Sequence, residues 1–263
     1  MTGLSRSCGL RAVALVGFVP GLVFFGAQEA FAQGLGGVTN QPEWPIDPAT
    51  YPRPTHPAMR TTGPILIDGR LDEAAWEDGA PITRFIQSRP DVGHPATEGT
   101  IVRVLYDDEA LYIAAICYDT QPDNLTVMSL ERDFPPLESD VFSFVLNPNP
   151  DRLDSFLFYM NPHGAYGDAR TFDDNRAPVD YAWDALAEGE TQLTDFGWTV
   201  EMAIPWSAVR VEGDDGSLEW GFNVQRRILR INESSTWSPL GLREYQPTVS
   251  RAGTLVFRDR RDF

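Results

Sequence analysis

Three acidic clusters carry the residue types and spacing that could do chemistry: Asp107-Asp108-Glu109, Asp173-Asp174-Asn175 and Asp214-Asp215. Two carboxylates flanking one glycosidic bond hydrolyse it, and carboxylates joined by carbonyl oxygens hold calcium when six to eight oxygens converge. Each cluster, however, falls between apolar runs. There Asp bonds its own backbone amides and tolerates unusual dihedral angles, so turn chemistry accounts for all three. With 38 acids in the chain a pair can always be nominated, and none stands out as catalytic. Thiol and imidazole chemistry is as thinly supplied. His56, His94 and His163 each sit beside Pro or Gly, and Cys117 lies in the apolar run LYIAAICYD, as a buried thiol would. The sequence has no Gly-rich phosphate loop, Cys-x-x-Cys, His-Glu-x-x-His or Gly-x-Ser-x-Gly elbow. These residues predict a chain with no catalytic function of its own.

Charge and composition narrow the partners. The 263 residues carry a formal charge of −17, and all 21 basic residues are Arg. Such a chain repels phosphate backbones and anionic membranes, so nucleic acid is not an expected partner. Residues 1–32 read as an export signal: Arg6 and Arg11, an apolar run from Ala12 to Phe25, then Ala30-Phe31-Ala32 before Gln33. Export to the periplasm, the outer-membrane surface or the medium is expected. Residues 33–60 carry Pro42, Pro45, Pro48, Pro52, Pro54 and Pro57, a spacing that predicts an extended linker without sheet pairing.

The elements that must position any site are strands. Short runs rich in β-branched and aromatic residues, bounded by Gly, Pro, Asn and Asp, fill residues 61–258 ahead of a short tail, 259–263. Strands are expected at 65–67, 82–88, 100–106, 111–118, 141–147, 155–161, 165–171, 183–192, 197–205, 219–229, 235–237 and 254–257, with a helical turn at 71–76 that Asp72 caps. In 100–106 and 111–118 nearly every position is apolar, as in strands covered on both faces. The absence of sustained helical periodicity excludes βαβ crossovers. The fold class expected is all-β, a two-sheet antiparallel β-sandwich with short helical turns. The seven Trp residues mostly suit its core, although an exposed aromatic could stack on a sugar ring.

The chain resembles the family 9 carbohydrate-binding modules, a DOMON-like β-sandwich class. The likeness runs through Ile67-Asp68-Gly69 with Leu71-Asp72-Glu73 and Trp76, and through Val104 to Ile113 and on to Tyr118-Asp119. It continues in Gly197 to Trp206, Trp220-Gly221-Phe222-Asn223 with Arg226-Arg227, Trp237-Ser238-Pro239 and Gly253-Thr254-Leu255. The resemblance implies capture of a polysaccharide or oligosaccharide between two loop aromatics. The corresponding loops here, 132–137 and 243–246, carry Phe134 and Tyr245 in place of Trp, with Arg132, Glu138 and Arg243 as candidates to bond hydroxyls. It also implies structural calcium, for which Asp68, Asp72 and Asp119 are the candidates. A closer subgroup precedes an outer-membrane barrel, so a barrel or another cell-envelope protein is an alternative partner for a docking domain. The haem-binding relatives of this fold would require ligands among Met128, Met160, Met202 and His163.

Overall fold

The computed structural model describes residues 43–149, 151–209 and 219–258. The export segment, residues 33–42 of the proline-rich stretch, Asp214-Asp215 and the tail 259–263 lie outside the described residues. The strands are β1 (Thr55–Arg60), β2 (Ile86–Arg89), β3 (Thr100–Tyr106), β4 (Ala110–Tyr118), β5 (Val141–Asn147), β6 (Ser155–Met160), β7 (Tyr166–Thr171), β8 (Glu188–Thr194), β9 (Gly197–Pro205), β10 (Glu219–Ile228), β11 (Glu233–Thr236) and β12 (Gly253–Phe257). Helix among the described residues is confined to the turn Trp206–Val209 and brief 3₁₀ turns. The all-β class holds. The sheet order is β7-β6-β5-β10-β12-β1-β3-β4-β9-β8, with β11 and β2 attached beside β10.

Two expectations need correction, and β1 is the reason for both. It pairs in parallel with β12 from Thr55 to Ala58 and then with β3 at Met59 and Arg60, so the sheet is mixed rather than purely antiparallel and runs unbroken through β1. Thr55–Arg60, the end of the proline-rich segment, is therefore a strand of the sheet rather than linker. Within Thr55–Arg60 only Pro57 lacks an amide hydrogen, and in its register it has a partner on the β12 side alone. The strand expected at 65–67 is irregular chain, and the strand after Trp183 begins only at Glu188.

Strands with apolar residues on both faces prove to be covered on both. One core gathers Val102, Val104, Ile113, Ala115 and Val200 from β3, β4 and β9 with Phe144, Phe158, Phe222 and Leu255 from β5, β6, β10 and β12. On the opposite face of β3 and β4, Leu105 and Ala114 pack beneath Ala75 and Trp76 of the 3₁₀ turn Ala74–Asp78. On the opposite face of β5, β6 and β7, Val145, Leu157 and Ala169 pack beneath Phe134 and Val249, which come from two long loops. The acidic hairpin tip between β3 and β4 is a turn. Asp107 accepts the amides of Glu109 and Ala110 at 2.8 and 2.9 Å and the Tyr112 hydroxyl at 2.9 Å, while Asp108 pairs with Arg60.

The covering turn is clamped by one carboxylate. Glu201, on β9 and without solvent exposure, accepts the amides of Asp68 and Gly69, each at 3.1 Å, and the Trp76 indole N–H at 2.9 Å. Gly69 has φ +79°, and a Cβ there would lie 2.8 Å from the backbone of Thr191, so only glycine lets this loop sit down on β8. Arg103 fixes the other end of the turn by donating to the carbonyls of Trp76 and Gly79 at 3.1 and 2.8 Å. Asp72 caps nothing: Glu73 holds the N-cap position without a side-chain capping bond, and its carboxylate instead accepts the Leu66 amide.

Burial pushes the Glu201 carboxyl up from 4.5 to about 7, against three donors and ahead of their opposing pull. Because the folded value is raised, the stability linked to this group is full below pH 4.5 and is lost as pH rises through 7. Glu201→Gln is expected to cost about 2 kcal/mol, because the amide presents a donor to at least one of these N–H groups. It should also flatten the fall in stability across that pH window, as read by urea titrations of both proteins.

Candidate functional site

The outer face of the β5–β10–β11–β2 strip carries the arrangement best suited to a ligand. Val141 pairs with Arg227, Arg227 with Ser234, and Ser234 with Arg89, which aligns four side chains in one row across four strands. Adjacent residues on β10 therefore divide: Arg226 turns to the core, with its guanidinium 5.5 Å from the Trp198 ring, and Arg227 turns outward. Arg227 Nη1 donates to Ser234 Oγ at 3.3 Å. The Arg89 guanidinium lies 4.6 Å from the Tyr245 ring centroid, a cation–π contact. Arg227 is held below the ordinary arginine range, first by burial and then by the neighbouring Arg89 charge.

Two loops bound this face. The loop from Leu125 to Asp140 is pinned at its base, where Asp140 accepts the amides of Thr126 and Leu229 at 2.8 and 2.5 Å and the Asp140 amide donates to the Thr126 carbonyl at 2.7 Å. Further along, Asn161 donates to the Ser129 carbonyl and the Asp133 amide to the Tyr166 carbonyl. The loop from Pro239 to Ala252 is tied down by Gln246, which accepts from Ser143 Oγ at 2.7 Å and donates to the Asn223 carbonyl at 3.1 Å. Phe134 of the first loop and Val249 of the second share one apolar cluster with Val141. The two loops nominated by sequence are thus brought together on the face that carries Arg227 and Arg89.

The sequence profile described as carbohydrate family 9 binding domain-like matches residues 67–232. The chain belongs to that family. Among curated relatives, it is 28% identical over 148 residues to endo-1,4-beta-xylanase A of Thermoanaerobacterium saccharolyticum, covering 56% of this chain and 11% of that one. It is 27% identical over 158 residues to exoglucanase XynX of Acetivibrio thermocellus, covering 60% of this chain and 13% of the relative. This family 9 domain therefore spans only a small part of the curated relatives it matches. A family 9 module from Caldicellulosiruptor kristjanssonii, solved with glucose and with cellotriose, superimposes with TM-scores of 0.56 and 0.53 at 19% identity. The matches cover 80% of this chain and 98% and 96% of the module. At that identity the likeness is one of fold.

Within this family 9 domain the candidate residues meet different fates. Phe134 is not an exposed platform: it is 2% exposed and lies edge-on to Tyr159, ring centroids 5.1 Å apart. Its apolar ring serves better under the loop than on it. Tyr245 is 51% exposed and keeps ring surface free beside Arg89. Arg132 is committed to acids, 3.2 Å from Asp168 and 2.9 Å from Asp184, with its guanidinium 5.0 Å from the Tyr166 ring. Glu138 and Arg243 are exposed on their respective loops. Arg89 and Arg227 are not among the site candidates read from the sequence; the signal available was strand alternation in Val224-Gln225-Arg226-Arg227, which puts the second arginine on the outer face.

The calcium candidates do not assemble a site. Asp68 accepts the Arg70 amide in a local turn and Asp72 is exposed. Asp119 has a fully buried carboxylate paired with Arg226 at 3.5 Å and with Arg230, which also reaches Glu98 at 2.9 Å. Among the described residues no three His, Cys, Asp or Glu side chains gather as a metal group. The nominated haem ligands are likewise divided, with Met160 and Met202 inside the core and Met128 and His163 at the surface.

Two stability measurements check these placements. Phe134→Ala is expected to cost about 3 kcal/mol through the cavity it leaves. Asp119→Ala should cost about 3 kcal/mol by stranding buried guanidinium charge. Urea titration should give the same Asp119→Ala loss with added calcium and with a chelator; a loss present only with calcium would contradict the ion-pair account.

Proposed function

We propose that this family 9 domain is exported and non-catalytic, and captures a polysaccharide or oligosaccharide for a glycan degradation or uptake system. The observation that carries the reading is the convergence of the two loops on one sheet face, with Tyr245 half exposed between the aligned arginines and the solvent. Tyr245 supplies a stacking surface for the apolar side of a sugar ring, and Arg89, Arg227, Arg243 and Glu138 supply donors and acceptors for hydroxyls. Support from relatives is of two kinds: a xylanase and an exoglucanase carry the matching segment, and a module of the same fold binds glucose and cellotriose. Export follows from the signal-like residues 1–32 and suits a domain whose ligands lie outside the cytoplasm.

A second reading draws on Met128, Leu130 and Leu137, which place exposed apolar side chains on a single loop. Such a patch suits docking against an outer-membrane barrel or another cell-envelope protein. A glycan-array screen of the full chain separates the two. Under the capture reading a saturable ligand emerges, and Tyr245→Ala weakens it about tenfold, the scale of one aromatic stacking contact. An unchanged affinity in a folded Tyr245→Ala protein would remove this face from the binding account.

A further inference from the structure

The paired arginines beside Tyr245 call for more than a neutral sugar. Arg227 and Arg89 stand two strands apart in one register row, about 10 Å between backbones, a span that two arginine side chains close easily. Each guanidinium offers five N–H donors. Among the described residues Arg227 uses one of them, on Ser234 Oγ, and its Nε is buried without an acceptor. Arg89 meets only the Tyr245 ring and makes no side-chain hydrogen bond or ion pair among the described residues.

Acids outnumber arginines in the chain by 38 to 21, yet neither of these two neighbouring arginines has a carboxylate partner among the described residues. Arg60, Arg132, Arg226 and Arg230 all have carboxylate partners, and the half-buried Arg152 donates to the carbonyls of Ala252 and Gly253. Asp140, whose charge also bears on Arg227, is turned to the amides of Thr126 and Leu229. The two outward arginines thus keep unused donors and like charge in close company. Arginine stays protonated at any physiological pH, so an incoming anion relieves that mutual repulsion.

We propose that the Arg227–Ser234–Arg89 row binds the carboxylate of an acidic sugar, so that the domain's ligand is a uronic-acid-containing oligosaccharide whose neighbouring ring stacks on Tyr245. The assignment rests on the capture reading above and names its substrate class. A planar carboxylate fits the guanidinium fork bidentately. The overall charge of −17 works against the most densely charged polyanions at long range, which favours short acidic oligosaccharides with at most one charge per ring over multiply sulfated ones.

Calorimetry on the full chain tests this with short oligosaccharides from pectic acid, alginate and glucuronoxylan, each paired with its methyl ester, and with cellotriose as a neutral reference. At least one acid should bind about tenfold more tightly than its own ester, and the advantage should vanish in Arg89→Gln and Arg227→Gln. Circular dichroism establishes that each variant is folded, and Arg89→Gln, on the short strand β2, decides the matter if Arg227→Gln does not fold. Equal binding of acid and ester in every pair would overturn the carboxylate site while leaving sugar capture intact. A stronger response to sulfated than to carboxylated oligosaccharides would overturn the choice of anion. Failure of the folded wild-type protein to bind any sugar, acidic or neutral, would overturn both readings.

Discussion

The structure depends on strands that are apolar on both faces. Burying β3–β4 and β5–β6 against each other satisfies one face of each and leaves the other in contact with water, at roughly 25 cal/mol for every Å² of apolar surface left exposed. Helices would be the usual covering, but this chain has none of sufficient length among its described residues. Irregular segments do the covering instead, and irregular backbone brings amides that must find acceptors. Glu201 beneath the Trp76 turn and Asp140 at the base of the 125–140 loop answer that need. The loops flanking the candidate face are therefore parts of the core that also happen to meet solvent.

The same constraint explains what could be read in the sequence and what could not. Continuous apolar runs such as Val141–Asn147 and Gly197–Pro205 gave strand boundaries that the structure matches, because doubly buried strands leave little latitude in composition. The partner of a strand is another matter. Nothing in Thr55–Arg60 announces parallel pairing to two different strands, and its proline argued for the opposite. Phe134 shows a related limit: an aromatic in a loop reads alike whether the loop presents it or sits on it. Arg132 and Asp119 are legible as charged residues, but their occupation by Asp168, Asp184, Arg226 and Arg230 arises from contacts distant in the chain.

Charge is organised by depth rather than by sign alone. At one end of the core Asp119, Glu98, Arg226 and Arg230 form a buried network in which acid and base meet. Buried ion pairs of this kind add little net stability, but removing one member is costly, so they fix the arrangement of the strands that bear them. On the outer face, one residue further along β10, arginine stands without an acid. The pleat sends Arg226 to the acids of the core and leaves Arg227 on the outer face.

The way β1 changes partners has a consequence for biosynthesis. Thr55 and its register partner Thr254 are separated by about 200 residues, and β1 is the strand through which β12 and β3 are joined. At translation speeds of roughly 5–20 residues per second, β1 waits on the order of ten to forty seconds for β12 to be made. During that interval the edge of β3 has only two residues of β1 to pair with, and Thr55–Ala58 has no strand beside it. Until β12 is made, the sheet stays open at this seam.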